Sequence, residues 1–141
     1  LARVQIVELG AACEGLLFDL VQSVGVQNTP CGLRPSSCKR QTIDWTTDGL
    51  LGTYTTAAGE KRSHNVGFHW LVEEALRMHA IDKPLSARLH WLREARNVVH
   101  PTLSATRLYR FDLDEAKEAL SILLSTSQAT LSFKQANNVK W

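Results

Sequence analysis

The stretch that decides the fold runs Pro84-Leu85-Ser86-Ala87-Arg88-Leu89-His90-Trp91-Leu92-Arg93-Glu94-Ala95-Arg96-Asn97-Val98-Val99-His100-Pro101. Leu85, Leu89, Leu92 and Val99 recur at the spacing of one helix face, so the spacing predicts an amphipathic helix. Pro84 suits its first turn, where a missing N–H leaves no bond unmade. Pro101 ends it near His100, because the residue before a proline is pushed out of the helical region.

Working outward, the same period appears on both sides. Phe68, Leu71, Val72, Ala75, Leu76 and His79 follow the i, i+3, i+4, i+7 pattern of a preceding helix. Residues 3–24 read as a long first helix through Ile6, Leu9, Cys13, Leu16, Leu17, Leu20, Val21 and Val24, with Gly25 placed to stop it. A last helix opens at Asp112, where Asp112 and Glu115 have capping-box spacing with Asp in place of Ser or Thr. Leu113, Ala116, Leu120, Leu123, Leu124 and Leu131 are expected on its buried side, to about residue 135.

Between the first and second helices, residues 25–63 are punctuated by Gly25, Pro30, Gly32, Pro35, Gly49, Gly52 and Gly59 and filled with Ser and Thr. They read as a long loop region, with one turn of helix near Ile43–Leu51. Tyr54-Thr55-Thr56 has β-character but looks too isolated to pair. The expected fold is therefore all-α, a four-helix up-and-down bundle with a long loop after helix 1, in one domain spanning 1–141.

Composition agrees with an ordinary globular chain. Of 141 residues 44% are hydrophobic and 21% charged, which argues against disorder and fibres. A domain of this length can bury enough surface to fold without disulfides or metal. Cys13, Cys31 and Cys38 are odd in number, and Cys31 and Cys38 are too far apart for a zinc half-site, so neither a disulfide framework nor a metal is expected. His64, His69, His79 and His90 share no ligand spacing along the chain, and no cofactor is expected. No run of eighteen apolar residues occurs, so no membrane span is expected. Without a basic region followed by an apolar core, no signal peptide is expected either, and a cytoplasmic, reducing location fits best.

The chemistry gathers on the helix quoted first. At about 100° per residue, Arg93, Arg96, Asn97 and His100 fall within about a 100° arc. Leu85, Leu89, Leu92, Ala95 and Val99 take the neighbouring arc. Two guanidiniums, an amide and an imidazole at the edge of a buried stripe suit a phosphate, and a histidine can move protons near neutral pH. The plainer reading is that arginines late in a helix favour its dipole and that His100 caps exposed carbonyls. Lys83, Arg88, Arg93, Arg96, Arg107 and Arg110 against Glu94 give this region a local +5, the sign an RNA backbone needs, with Arg88 and Arg93 as candidate phosphate contacts. Solvated helix faces would look the same. Arg34, Lys39, Arg40, Trp45, Tyr54, Lys61 and Arg62 interleave bases and aromatics in the manner of single-strand binders.

The string Leu92-Arg93-Glu94-Ala95-Arg96-Asn97-Val98-Val99-His100-Pro101 resembles the signature helix of the HEPN superfamily, small all-α domains whose motif is an Arg, usually followed by Asn, Asp or His, then four to six residues and a His. Six residues separate Arg93 from His100, but Arg93 is followed by Glu94. Arg96 is followed by Asn97, but only three residues separate it from His100. Either arginine can be the motif's. The resemblance implies metal-independent cleavage of RNA by its own 2′-hydroxyl, with His100 as general acid or base, an arginine on the phosphorane charge and Asn97 holding a phosphate oxygen or the histidine. It also implies a homodimer with the motifs of both subunits in one cleft, and an antitoxin protein as a possible partner. The same domain without catalysis, binding a nucleotide, RNA or protein, is the alternative.

Glu14 of the first helix shares an angular position with Val7, Phe18 and Val21, inside the apolar arc. A carboxylate there is costly unless paired, and one of Arg93 and Arg96 is its expected partner, oriented by it. The other reading leaves Glu14 snorkelling or facing a dimer partner.

Overall fold

In the computed structural model the described backbone covers residues 2–27, 41–44, 51–55, 61–65, 67–98 and 113–139, with side chains described over 3–24, 67–97 and 113–139. Four helices form the body: α1 (Ala2–Gln27), α2 (Phe68–Arg77), α3 (Lys83–Val98) and α4 (Leu113–Ala136). The four-helix body expected from periodicity is the one observed. The first helix passes through Gly25, which does not stop it, and ends at Gln27.

The long connection was expected to be loop. It also carries β1 (Gln41–Asp44), β2 (Leu51–Thr55) and β3 (Lys61–Asn65), an antiparallel meander in the order β1-β2-β3. Tyr54, read as too isolated to pair, is opposite Gln41 on one side and Arg62 on the other. Its partners sit in polar sequence with no alternation of apolar residues, so the pairing leaves no hydrophobic signature. The expected helical turn near Ile43–Leu51 is replaced at its two ends by strand. Among the described residues the strands pair with one another and not with the helices.

The helices do not simply alternate in direction. Gln5, Glu8, Leu9 and Ala12 of α1 line a groove with Leu113, Ala116, Lys117 and Leu120 of α4, while Asp19 pairs further along with Lys134. The order of these contacts makes α1 and α4 parallel. Helices α2 and α3 form an antiparallel hairpin, with His90 against His69 and Glu73. The connection from Gln27 to Phe68 thus gives the chain the length to start α2 afresh, as a crossover does.

Two of the helix ends close with the same device. At the end of α2, the Ala80 N–H bonds to the Ala75 carbonyl and the His79 N–H to that of Leu76, with His79 left-handed at φ 61°. At the end of α4, Val139 bonds back to Lys134 and Asn138 to Gln135, with Asn138 at φ 53°. Both are Schellman closures that satisfy otherwise unpaired carbonyls. Helix α3 begins with Asp82, whose Oδ1 accepts the Leu85 N–H at 2.9 Å. The capping box expected at Asp112 lies outside the described residues.

The core joins Ile6, Cys13, Leu17 and Leu20 of α1 with Leu71 and Val72 of α2, Leu89 and Leu92 of α3, and Ala119 and Ile122 of α4. On α4 only part of the expected face is buried: Ala116 is, and Leu123 packs against the core from its edge. Ala116, Ala119, Ile122, Thr126, Thr130 and Phe133 point inward, whereas Leu113, Leu120, Leu124 and Leu131 are 62%, 47%, 63% and 39% exposed. Small residues let α1 and α4 approach closely, and the two threonines satisfy their hydroxyls on carbonyls one turn back (Thr126 to Ile122 at 2.8 Å, Thr130 to Thr126 at 2.9 Å). Composition-weighted periodicity favours the larger leucines, which is why it drew Leu113, Leu120, Leu124 and Leu131 into the buried set.

Candidate functional site

Arg96 emerges from the last turns of α3 and meets Glu14 from α1, Nη1 to Oε2. The guanidinium also lies over the Phe68 ring at the start of α2, 5.4 Å from its centroid. Beneath it is Gly10, where an added Cβ would come within 3.0 Å of the Arg96 Cδ. Two helices therefore converge on this side chain of α3: α1 with a carboxylate and a glycine gap, and α2 with an aromatic face. The ionic partners are only half buried, Arg96 at 27% and Glu14 at 30% exposure, so the cation is fixed yet still reaches solvent. Of the two arginines offered for Glu14, the structure brings Arg96 to it.

Arg93, one turn earlier on α3, is placed differently. Its Nη2 reaches only the neighbouring Glu94 at 3.4 Å, a contact at the edge of hydrogen bonding, and its Nε is buried without a partner among the described residues. Asn97 is exposed, and at i+4 from Arg93 it stands on the same side of the helix. Arg88 does not join them. It donates from Nε to Glu118 at 3.0 Å and from Nη2 to Ser121 at 2.9 Å, tying α3 to α4. His100 lies outside the described residues, as do Arg107 and Arg110. Among the interleaved bases and aromatics of the long connection, Arg34, Lys39, Arg40 and Trp45 lie outside them too.

One turn before Arg93, α3 carries a group that sequence reasoning passed over. His90 Nε2 is 2.6 Å from Glu73 Oε1, and its ring is 4.9 Å from that of His69, tilted by 40°. Its Nδ1 is buried and unpartnered among the described residues. His69 and Glu73 are four residues apart on α2, a spacing that puts both on one face and was open to notice.

The buried thiol of Cys13 is inert by its surroundings. Burial pushes it up to about 11, partly offset by the Thr126 hydroxyl, so it is a small core residue and no nucleophile. Trp91 is 36% exposed, and Trp70 packs on the core's edge. No helix among the described residues is long and apolar enough to cross a membrane.

No family model matches the chain, and neither does any curated protein or any solved structure.

Proposed function

We propose that the chain is a HEPN-like domain that binds RNA and cleaves it through Arg93, Asn97 and His100, acting as a homodimer. The observation that carries this reading is the division of labour between the two arginines. Arg96 is consumed by Glu14 and Phe68, while Arg93 makes only a 3.4 Å contact with Glu94 and its buried Nε–H has no acceptor among the described residues. That favours the alignment in which Arg93 and His100, with six residues between them, are the motif pair. Positions 93, 97 and 100 are then i, i+4 and i+7, one stripe at helical spacing. Arg96 becomes a positioning residue that anchors α3 to α1.

In this mechanism the RNA 2′-hydroxyl gives its proton to His100 and attacks the adjacent phosphorus, forming a cyclic phosphate. The bond to the 5′-oxygen breaks, and that oxygen leaves with a proton returned by a histidine. Arg93 holds the charge that grows on the non-bridging oxygens. Asn97 supplies an amide to the same phosphate. A requirement for the 2′-hydroxyl makes DNA a non-substrate.

The second reading, a helical dimer that binds RNA, a nucleotide or an antitoxin-type protein without cutting, is favoured by charge. Glu14 and Glu94 lie against the two arginines and leave little net positive charge there, which suits a protein partner better than a phosphate. One experiment separates the two. Purified protein is incubated with RNA in EDTA, as wild type and as His100→Ala, Arg93→Ala and Arg96→Ala. The catalytic reading expects cleavage lost in the first, reduced about a hundredfold in the second, and limited by stability in the third. Binding without cleavage by the wild type favours the second reading. If all three variants cut like wild type, the activity lies elsewhere.

A further inference from the structure

Helix α2 presents His69 and Glu73 one turn apart, and antiparallel α3 sets His90 against both. One ligand atom from each of the three lies within 4.8 Å of the other two. The His69 and His90 rings are tilted rather than parallel, so a nitrogen of each can turn toward a common point beside the Glu73 carboxylate. His69 and Glu73 are exposed and His90 is partly covered, which leaves one side open to solvent. We infer that His69, Glu73 and His90 form a binding site for a divalent transition-metal ion, Zn2+ above all.

The chemistry of the donors sets that choice. Two imidazoles and one carboxylate suit borderline ions such as Zn2+, whereas Mg2+ prefers oxygen ligands and gives up its waters reluctantly. Three protein ligands with an open side match a tetrahedral ion that keeps one water. The ligands come from two rigid helices, and a bound ion cross-links the α2–α3 hairpin. Such a link favours the folded state, where the three groups are already gathered, over the unfolded chain. It does so next to Arg93, one turn on from His90. This site is separate from the metal-independent cleavage proposed above, and the two stand or fall independently.

The test is a calorimetric titration of chelator-treated, dialysed full chain with ZnCl2, with MgCl2 as the counter-probe, and thermal unfolding with and without Zn2+. One Zn2+ per chain, no Mg2+ heat and a rise of several degrees in the midpoint are expected. His69→Ala, Glu73→Gln and His90→Gln should each weaken Zn2+ binding about a hundredfold and abolish the rise. His79→Ala, outside the cluster, should bind as wild type does. His69 is exposed, so its variant reports on binding without disturbing the core. Absence of saturable Zn2+ binding by the wild type overturns the proposal, leaving a plain histidine–carboxylate contact. Undiminished binding in His69→Ala and His90→Gln overturns it equally, by placing the ion on other residues.

Discussion

At the scale of single residues, the same physics gives different outcomes according to what each polar group finds. Glu14 sits where the sequence predicts a costly carboxylate, and it is accommodated because Arg96 arrives from a helix 82 residues away in the chain. The identity of that arginine was not legible, because Arg93 and Arg96 lie on neighbouring arcs and only packing tells them apart. Cys13 shows the opposite case, a polarizable group kept neutral by burial. Below about pH 9 its thiol is protonated whether the chain is folded or not. From about pH 9 to 11 the unfolded chain ionises first, while the folded one holds its proton. Stability must therefore fall as pH rises through that window, by roughly 2–3 kcal/mol. Urea unfolding on both sides of the window, for wild type and Cys13→Ala, measures this. The variant should lack that part of the alkaline loss, and parallel curves would refute the assignment.

At the scale of elements, helix bodies were readable and helix ends and strands were not. Apolar periodicity placed all four helices within a few residues, because burial of one face is written into the spacing. Glycine was the expected terminator, yet α1 runs through Gly25, and the left-handed position closing α2 holds His79. The strands are signalled by backbone pairing alone, in sequence rich in Gly, Ser and Thr, so composition pointed to loop. The closure at His79 carries a prediction. A residue with a Cβ is strained at φ 61°, while glycine there adds freedom to the unfolded chain. His79→Gly should still raise stability, by about 0.5–1 kcal/mol in chemical denaturation. A loss would mean that the His79 side chain makes a stabilising contact beyond its backbone role.

At the scale of the whole molecule, the exposed leucines of α4 are what the fold leaves unfinished. Leu113, Leu120, Leu124 and Leu131 are spaced 7, 4 and 7 residues apart, an exposed apolar stripe in which Leu113 and Leu120 border the groove against α1. The proposed homodimer would bury it against a second copy. Leu120→Glu and Leu124→Glu should each convert a dimer to a monomer by light scattering, with monomer stability changed by less than about 0.5 kcal/mol, since neither side chain packs on the core. A wild type that is monomeric at tens of micromolar would remove the dimer from the proposal. By itself, the sequence determined that the described residues include four helices and that Arg93, Arg96 and Asn97 share one side of one of them, because local periodicity encodes both. Only the tertiary structure decided which face of α4 is buried, that α1 and α4 run parallel, that Glu14 takes Arg96, and that His69, Glu73 and His90 meet. Each of these depends on how two distant segments pack, and the side-chain spacing within one segment carries no record of the other.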